Sequence, residues 1–166
     1  MKTRALLIID LQKGVETPEH KLFQLDRVLQ QVNDRIAVFR QNKRPIVFIQ
    51  HQDADLVPDS DSWQLFPQLS ALPSDYYVGK THANSFYHTA LSDLLKELEV
   101  TELEICGAQT QYCVDTTIRM AHGLGYGLSM QRGLTTTLDN GRLSAEDIII
   151  HHEGIWDNRF LTFFEE

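Results

Sequence analysis

Two rhythms of apolar residues alternate along this chain. Ala5-Leu6-Leu7-Ile8-Ile9 is a short unbroken apolar run, as expected of a strand covered on both faces within a parallel sheet. Leu22, Leu25, Val28, Leu29, Val32, Ile36 and Phe39 then recur at helical spacing, a Lys43-Arg44-Pro45 break follows, and residues 46–49 form a second apolar run. Tyr76-Tyr77-Val78 reads as a third, short strand, and Leu91, Leu94, Leu95 and Leu98 mark a second amphipathic helix. Residues 103–108 read as a fourth strand, and residues 111–122 as a helix that stops near Gly123 and Gly125. A fifth strand is expected at 126–130. Ser144-Ala145-Glu146-Asp147 has the form of a capping box ahead of Ile148-Ile149-Ile150, and residues 160–164 supply a closing strand. Alternating strands and helices predict an α/β, three-layer αβα Rossmann-like fold with a mostly parallel sheet of about six strands. No repeat or Pro/Gly-rich linker divides the chain, so residues 1–166 are expected to form one domain.

Composition narrows the functional classes. Apolar residues make up 42% and charged residues 23%, a balance typical of folded globular proteins. A net charge of −8 with no cluster of Lys or Arg argues against nucleic acid as a partner. The chain has two cysteines, Cys106 and Cys113, too close together to frame a disulfide-stapled domain, so a reducing compartment is expected. The apolar run at 5–9 is too short for a signal-peptide core or membrane span, which leads to the expectation of a cytoplasmic protein without a membrane partner.

In open parallel sheets, sites form beyond the carboxyl ends of the strands. Asp10 follows the first apolar run, His51 the second, Lys80 the third, and 108–113 the fourth. Each has an ordinary reading on its own. An aspartate after a strand is often a turn former, a lysine there is usually solvated, and an unpaired cysteine is usually a small buried side chain. Cys106, inside an apolar strand, fits that last description. Taken together, the carboxylate, ammonium and thiol supply the parts of acyl transfer. With Thr110 or a neighbour as cap, Cys113 would fall in the first turn of a helix, where free N–H groups and a nearby Lys80 should lower its pKa. Asp10 could take the thiol proton and pass it to a leaving amine, and backbone N–H groups at Gln109 and Cys113 could bind the oxyanion.

At these residues the sequence resembles the isochorismatase-like cysteine hydrolases, the superfamily of nicotinamidases and carbamoylsarcosine amidases. Leu6-Leu7-Ile8-Ile9-Asp10-Leu11-Gln12 is similar to the opening strand and aspartate of that family. Lys80 with Ser85-Phe86 is similar to its lysine segment, and Gly107-Ala108-Gln109-Thr110-Gln111-Tyr112-Cys113-Val114 to its nucleophile segment. The resemblance implies a catalytic set of Cys113 as nucleophile, Asp10 as base and acid, and Lys80 as the group that holds the pair. It also implies a thioester intermediate and a cis bond between Ala108 and Gln109. Members that cleave isochorismate tend to lack the cysteine, so the implied reaction is hydrolysis of a C–N bond, amide or carbamoyl, in a small molecule. Members usually associate, so a homo-oligomer, dimer or larger, is implied.

Departures from the family pattern bear on ligands. Gln111 stands where many nicotinamidases have aspartate, and no histidine lies between Gln52 and Thr81 to complete their Asp-x-His metal set. No metal and no cofactor are expected, although His51 with Asp53 or Asp55 could bind a metal weakly. His20, His82, His88, His122, His151 and His152 show no converging spacing and are read as surface or packing residues. Trp63, Phe86 and Tyr112 are candidate substrate contacts, with Gln12 and His51 as polar ones. The competing reading is a non-catalytic or redox-sensing α/β binding protein with a reactive thiol. A buried Cys106 could not serve it as a resolving partner, and Asp10-Leu11-Gln12-Lys13-Gly14 lacks a phosphate-binding pattern.

Overall fold

Strand β1 (Thr3–Ile9) lies inside the sheet because its side chains are wanted on both faces. In the computed structural model, which describes residues 3–165, it pairs in parallel with β2 (Ile46–His51) on one side and β4 (Val100–Ala108) on the other. Leu6 and Ile8, with Ile46 and Phe48, face helix α1 (Leu25–Gln41), which buries Val28, Leu29, Val32, Ile36 and Phe39 against them. Ala5, Leu7 and Ile9, with Val47 and Ile49, point the other way. There α2 (Leu91–Glu97) contributes Leu91 and Leu95, and α3 (Asp115–Gly123) contributes Ile118 and Ala121. The period of two along the strands thus yields two apolar layers, one on each face.

The sheet runs in the order β3 (Tyr76–Lys80), β2, β1, β4, β5 (Gly127–Gln131), β7 (Thr162–Phe164), and every pairing is parallel. Its seventh member, β6 (Thr135–Thr136), pairs with the last two residues of β4 and is too short to leave a periodic signal. Helix α4 (Ala145–Trp156) opens as predicted: the Ser144 hydroxyl accepts the Asp147 N–H and donates to the Asp147 carboxylate. Among the described residues, no helix is long and apolar enough to cross a membrane.

Two local expectations are corrected. Leu22 is buried ahead of α1 rather than within it. The expected helix at 111–122 is in two parts, a wide π-helical turn at Thr110–Val114 followed by α3, and the Val114 N–H reaches back to the Gln109 carbonyl. Thr110 caps nothing; its buried hydroxyl donates to that of Thr135.

The chain passes from β1 outward to β2 and β3, then crosses to β4 on the other side, so the order reverses between β1 and β4. Such a reversal leaves a crevice at the carboxyl ends of the two strands. Gly107 makes their close approach possible. It lies opposite Ile9 with φ +124°, and a Cβ there would collide with the Ile9 carbonyl oxygen and stand 2.7 Å from its nitrogen. Gly107→Ala is expected to cost about 3 kcal/mol in urea unfolding, from overpacking and the unfavourable φ together. A variant within experimental error of the wild type would show that the strands can part there without penalty.

Candidate active site

Each side chain of the site stands at the end of a strand. Asp10 follows β1 with φ 49°, a left-handed conformation that aspartate tolerates better than most residues and that turns the chain off the sheet. His51 and Lys80 are the last residues of β2 and β3, and they lie opposite one another in register. Beyond β4 the Ala108–Gln109 peptide is cis, and the π-helical turn that follows carries Cys113.

These residues meet around one ammonium group. Lys80 is 2% exposed, and its Nζ lies 2.7 Å from Asp10 Oδ2, 3.0 Å from His51 Nδ1, 3.2 Å from the His82 carbonyl oxygen and 3.2 Å from Cys113 Sγ. Asp10 Oδ1 is buried and has no hydrogen-bond partner among the described residues. An acceptor so placed is satisfied only by a group that enters the site or by the thiol hydrogen beside it.

The electrostatics reverse one expectation. Burial pushes the Asp10 carboxyl above the usual carboxylate range, against the pull of Lys80. Burial also pushes the Cys113 thiol up to about 12, and the neighbouring Asp10 charge adds to the rise while Lys80 opposes it. The thiol therefore rests protonated, not as the depressed thiolate expected from a helix start beside a lysine. Loss of hydration and a like charge outweigh the single cation. A carboxyl raised toward neutrality is in turn a better matched proton acceptor for such a thiol. Burial, followed by Lys80, holds the His51 imidazole below its ordinary value.

Asp10, His51 and Cys113 each offer a ligand atom within 4.8 Å of the others, an arrangement that could in principle hold a metal ion. The ammonium of Lys80 already lies within 3.2 Å of all three, so the donor set is built around an organic cation and does not fit a metal as well.

A pocket of about 270 Å³ opens onto Cys113 and is lined by Asp10, Gly14, Val15, His51, Asp53, Asp55, Leu56, Gln109, Tyr112 and Cys113. Of the expected substrate contacts, His51 and Tyr112 stand here, the latter 55% exposed. The other three do not. Gln12 is fully buried, with its carboxamide bonded to the backbone N–H and carbonyl of His51 and to the carbonyl of Trp63. Phe86 is core, stacked on Tyr126. Trp63 is outside the described lining residues and serves through its carbonyl, which also accepts from Gln50.

Sequence reading missed the apolar wall of Val15 and Leu56. It arises because residues 62–66 run antiparallel to residues 11–14, with Lys13 N–H bonded to the Gln64 carbonyl, Gly14 N–H to that of Ser62, and Phe66 N–H to that of Leu11. A Cβ on Gly14 would lie 2.6 Å from Leu56, so glycine is what lets this loop close on the site. A larger hollow of about 660 Å³ lies at the opposite end of the sheet, near the Arg4–Glu102 ion pair at the starts of β1 and β4, away from the thiol and its partners.

Comparison with known proteins shows the family of the chain and its fold. The family model described as Isochorismatase domain matches residues 4–141. A crystal structure of an isochorismatase family protein is 58% identical, with a TM-score of 0.97 and 99% of each chain covered. An isochorismatase structure from Pseudomonas putida KT2440 is 25% identical, with a TM-score of 0.89, covering 99% of this chain and 90% of that one. A streptothricin hydrolase of Streptomyces noursei is 30% identical over 139 residues, 82% of this chain. The chain spans about half the length of that enzyme and of a second one of the same description, 55% and 50%.

Proposed function

The chain belongs to the isochorismatase family, and from that premise we propose that it is a cysteine hydrolase that cleaves the C–N bond of a small amide or carbamoyl compound through a thioester. The observation that carries this reading is a buried ammonium within 3.2 Å of both a carboxylate and a thiol that line a pocket. A merely structural lysine has no reason to hold a protonated thiol next to a carboxyl of raised pKa.

In this reading the substrate carbonyl enters between Tyr112 and Leu56. Asp10 takes the Sγ proton as the sulfur attacks the carbonyl carbon, and the backbone N–H groups of Gln109 and Cys113 donate hydrogen bonds to the oxyanion. As the tetrahedral species collapses, the C–N bond breaks and Asp10 returns the proton to the leaving nitrogen. Water, deprotonated by Asp10, then attacks the thioester. The departing thiolate recovers the proton, and the acid is released. Lys80 stays charged throughout and offsets whichever of Asp10 and Cys113 is negative.

Intact mass spectrometry of the protein with a panel of small amides, nicotinamide and carbamoyl compounds included, tests this. The wild type should gain a mass equal to one acyl group on at least one substrate and release the amine, while Cys113→Ser should do neither. An adduct of equal yield on both proteins would place the chemistry elsewhere. A redox role gains no support, because Cys106 is fully buried and directed to the Leu7 carbonyl inside the sheet.

A further inference from the structure

Three hydrogens of the Lys80 ammonium face four acceptors, and His51 is one of them. A protonated amine can only donate, so the ring nitrogen that meets it, Nδ1, carries no hydrogen. The ring hydrogen then belongs to Nε2, which lies 3.3 Å from Asp53 Oδ2. Asp53 is itself held: its Oδ1 accepts the N–H groups of Asp55 and Leu56 at 2.9 and 2.8 Å. From the other side, Gln12 grips the backbone of His51 through both its N–H and its carbonyl, as a neighbouring strand would. The result is an unbroken line from the pocket rim to the reacting atoms, running from the 53–56 turn through Asp53, His51 and Lys80 to Asp10 and Cys113.

We propose that His51 is a positioning residue for the hydrolysis read above: fixed by Asp53 as its Nε2–H tautomer, it accepts from Lys80 and keeps that ammonium centred between Asp10 and Cys113. The inference rests on the hydrolase reading but concerns a residue outside the acid, lysine and thiol set. Lys80 has a flexible four-carbon stem, and two of its partners, Asp10 and Cys113, exchange a proton during the reaction. The other two, the His82 carbonyl oxygen at 3.2 Å and His51 Nδ1 at 3.0 Å, are neutral acceptors whose hydrogen-bonding capacity does not change between steps, and His51 is the side chain of the two. The groups that face His51 are Lys80 from β3, Asp10 beyond β1, Asp53 and Asp55 from the loop after β2, and Cys113 and Tyr112 from the π-helical turn.

The test pairs a chemical and a spectroscopic readout. Acylation by p-nitrophenyl acetate, followed as the first burst of nitrophenolate, needs no knowledge of the natural amide. His51→Leu, which removes the acceptor, should slow the burst by about tenfold or more with little change in half-saturation, since misplacement of a reacting group acts on the rate. His51→Gln, which restores an acceptor of similar reach, should stay within about threefold of the wild type. Long-range 1H–15N NMR of the wild type should show the Nε2–H tautomer, and Asp53→Asn should shift the His51 titration to lower pH. Equal loss in Leu and Gln, no loss in Leu, an Nδ1–H tautomer, or a titration indifferent to Asp53→Asn would each overturn the proposal. If the wild type releases nitrophenolate no faster than buffer alone, neither in a burst nor steadily, the hydrolase reading fails, and the tautomer and titration judge the placement of His51 on their own. They do the same if His51→Leu fails to fold.

Discussion

Lys80→Met should lose hydrolysis and, at neutral pH, about 3–5 kcal/mol of stability, the range for removing one partner of a buried ion pair. The pH dependence is the sharper part. Asp10 has an ordinary pKa of 3.8, already raised in the folded protein by burial, and Lys80 is the main influence holding it down. Without Lys80 the folded pKa rises further. A carboxyl whose pKa is higher folded than unfolded contributes stability that is whole below the unfolded value and is lost as pH rises through the folded one. The variant should therefore lose up to about 1.4 kcal/mol per pH unit across that window, so its deficit is larger at pH 8 than at pH 5. Urea unfolding at the two pH values measures it. Asp10→Asn combined with Lys80→Met should recover much of the loss and flatten the pH dependence, because no buried carboxyl is then left to titrate. A single variant as stable as the wild type at both pH values would mean that the buried pair is not the strong contact its 2.7 Å separation suggests.

Asp10→Asn should change two reactions in opposite directions. Turnover of any amide that acylates the wild type should fall by about 10²–10⁴-fold, the usual contribution of a general base. Alkylation of Cys113 by iodoacetamide should instead become faster, by roughly tenfold if the thiol pKa drops by one unit. The carboxylate contributes to the rise of the thiol to about 12, whereas Lys80 opposes it and remains in the variant. In the wild type, alkylation should climb steadily with pH through the neutral and alkaline range, without the plateau of a low-pKa thiolate. Slower alkylation in the variant, or unimpaired turnover, would remove Asp10 from the role of base. A residue that only supports the fold has no reason to move the two rates apart.

Much of the fold was legible because the deciding signals are local. The unbroken apolar run before Asp10 marks a strand covered on both faces, and the spacing from Val28 to Phe39 marks the helix that covers one of them. The Ser144 cap is written in adjacent residues. What escaped depends on contacts between distant segments or on environment. Val15 and Leu56 become neighbours across the pocket only because residues 62–66 pair with residues 11–14, and neither stretch is long enough to show a period. Gln12 looked like a substrate contact from its place beside Asp10, yet its carboxamide is committed to His51 and Trp63. Phe86 follows the lysine segment closely, but its ring turns inward to the core. The thiol was misjudged in sign, because proximity to a lysine can be read from strand order, whereas burial cannot.

The short antiparallel pairing between the turn after β1 and the long loop also indicates where new specificity could be engineered. It fastens the loop to the floor of the site through backbone bonds, which carry no side-chain information and so survive changes of residue type. Val15, Asp55 and Leu56 line the pocket from this braced frame and Tyr112 lines it from the π-helical turn, while Gln12 and Gly14 are the parts that keep the frame closed. A library that varies the first four and leaves the last two untouched would sample different pocket shapes on an unchanged catalytic floor.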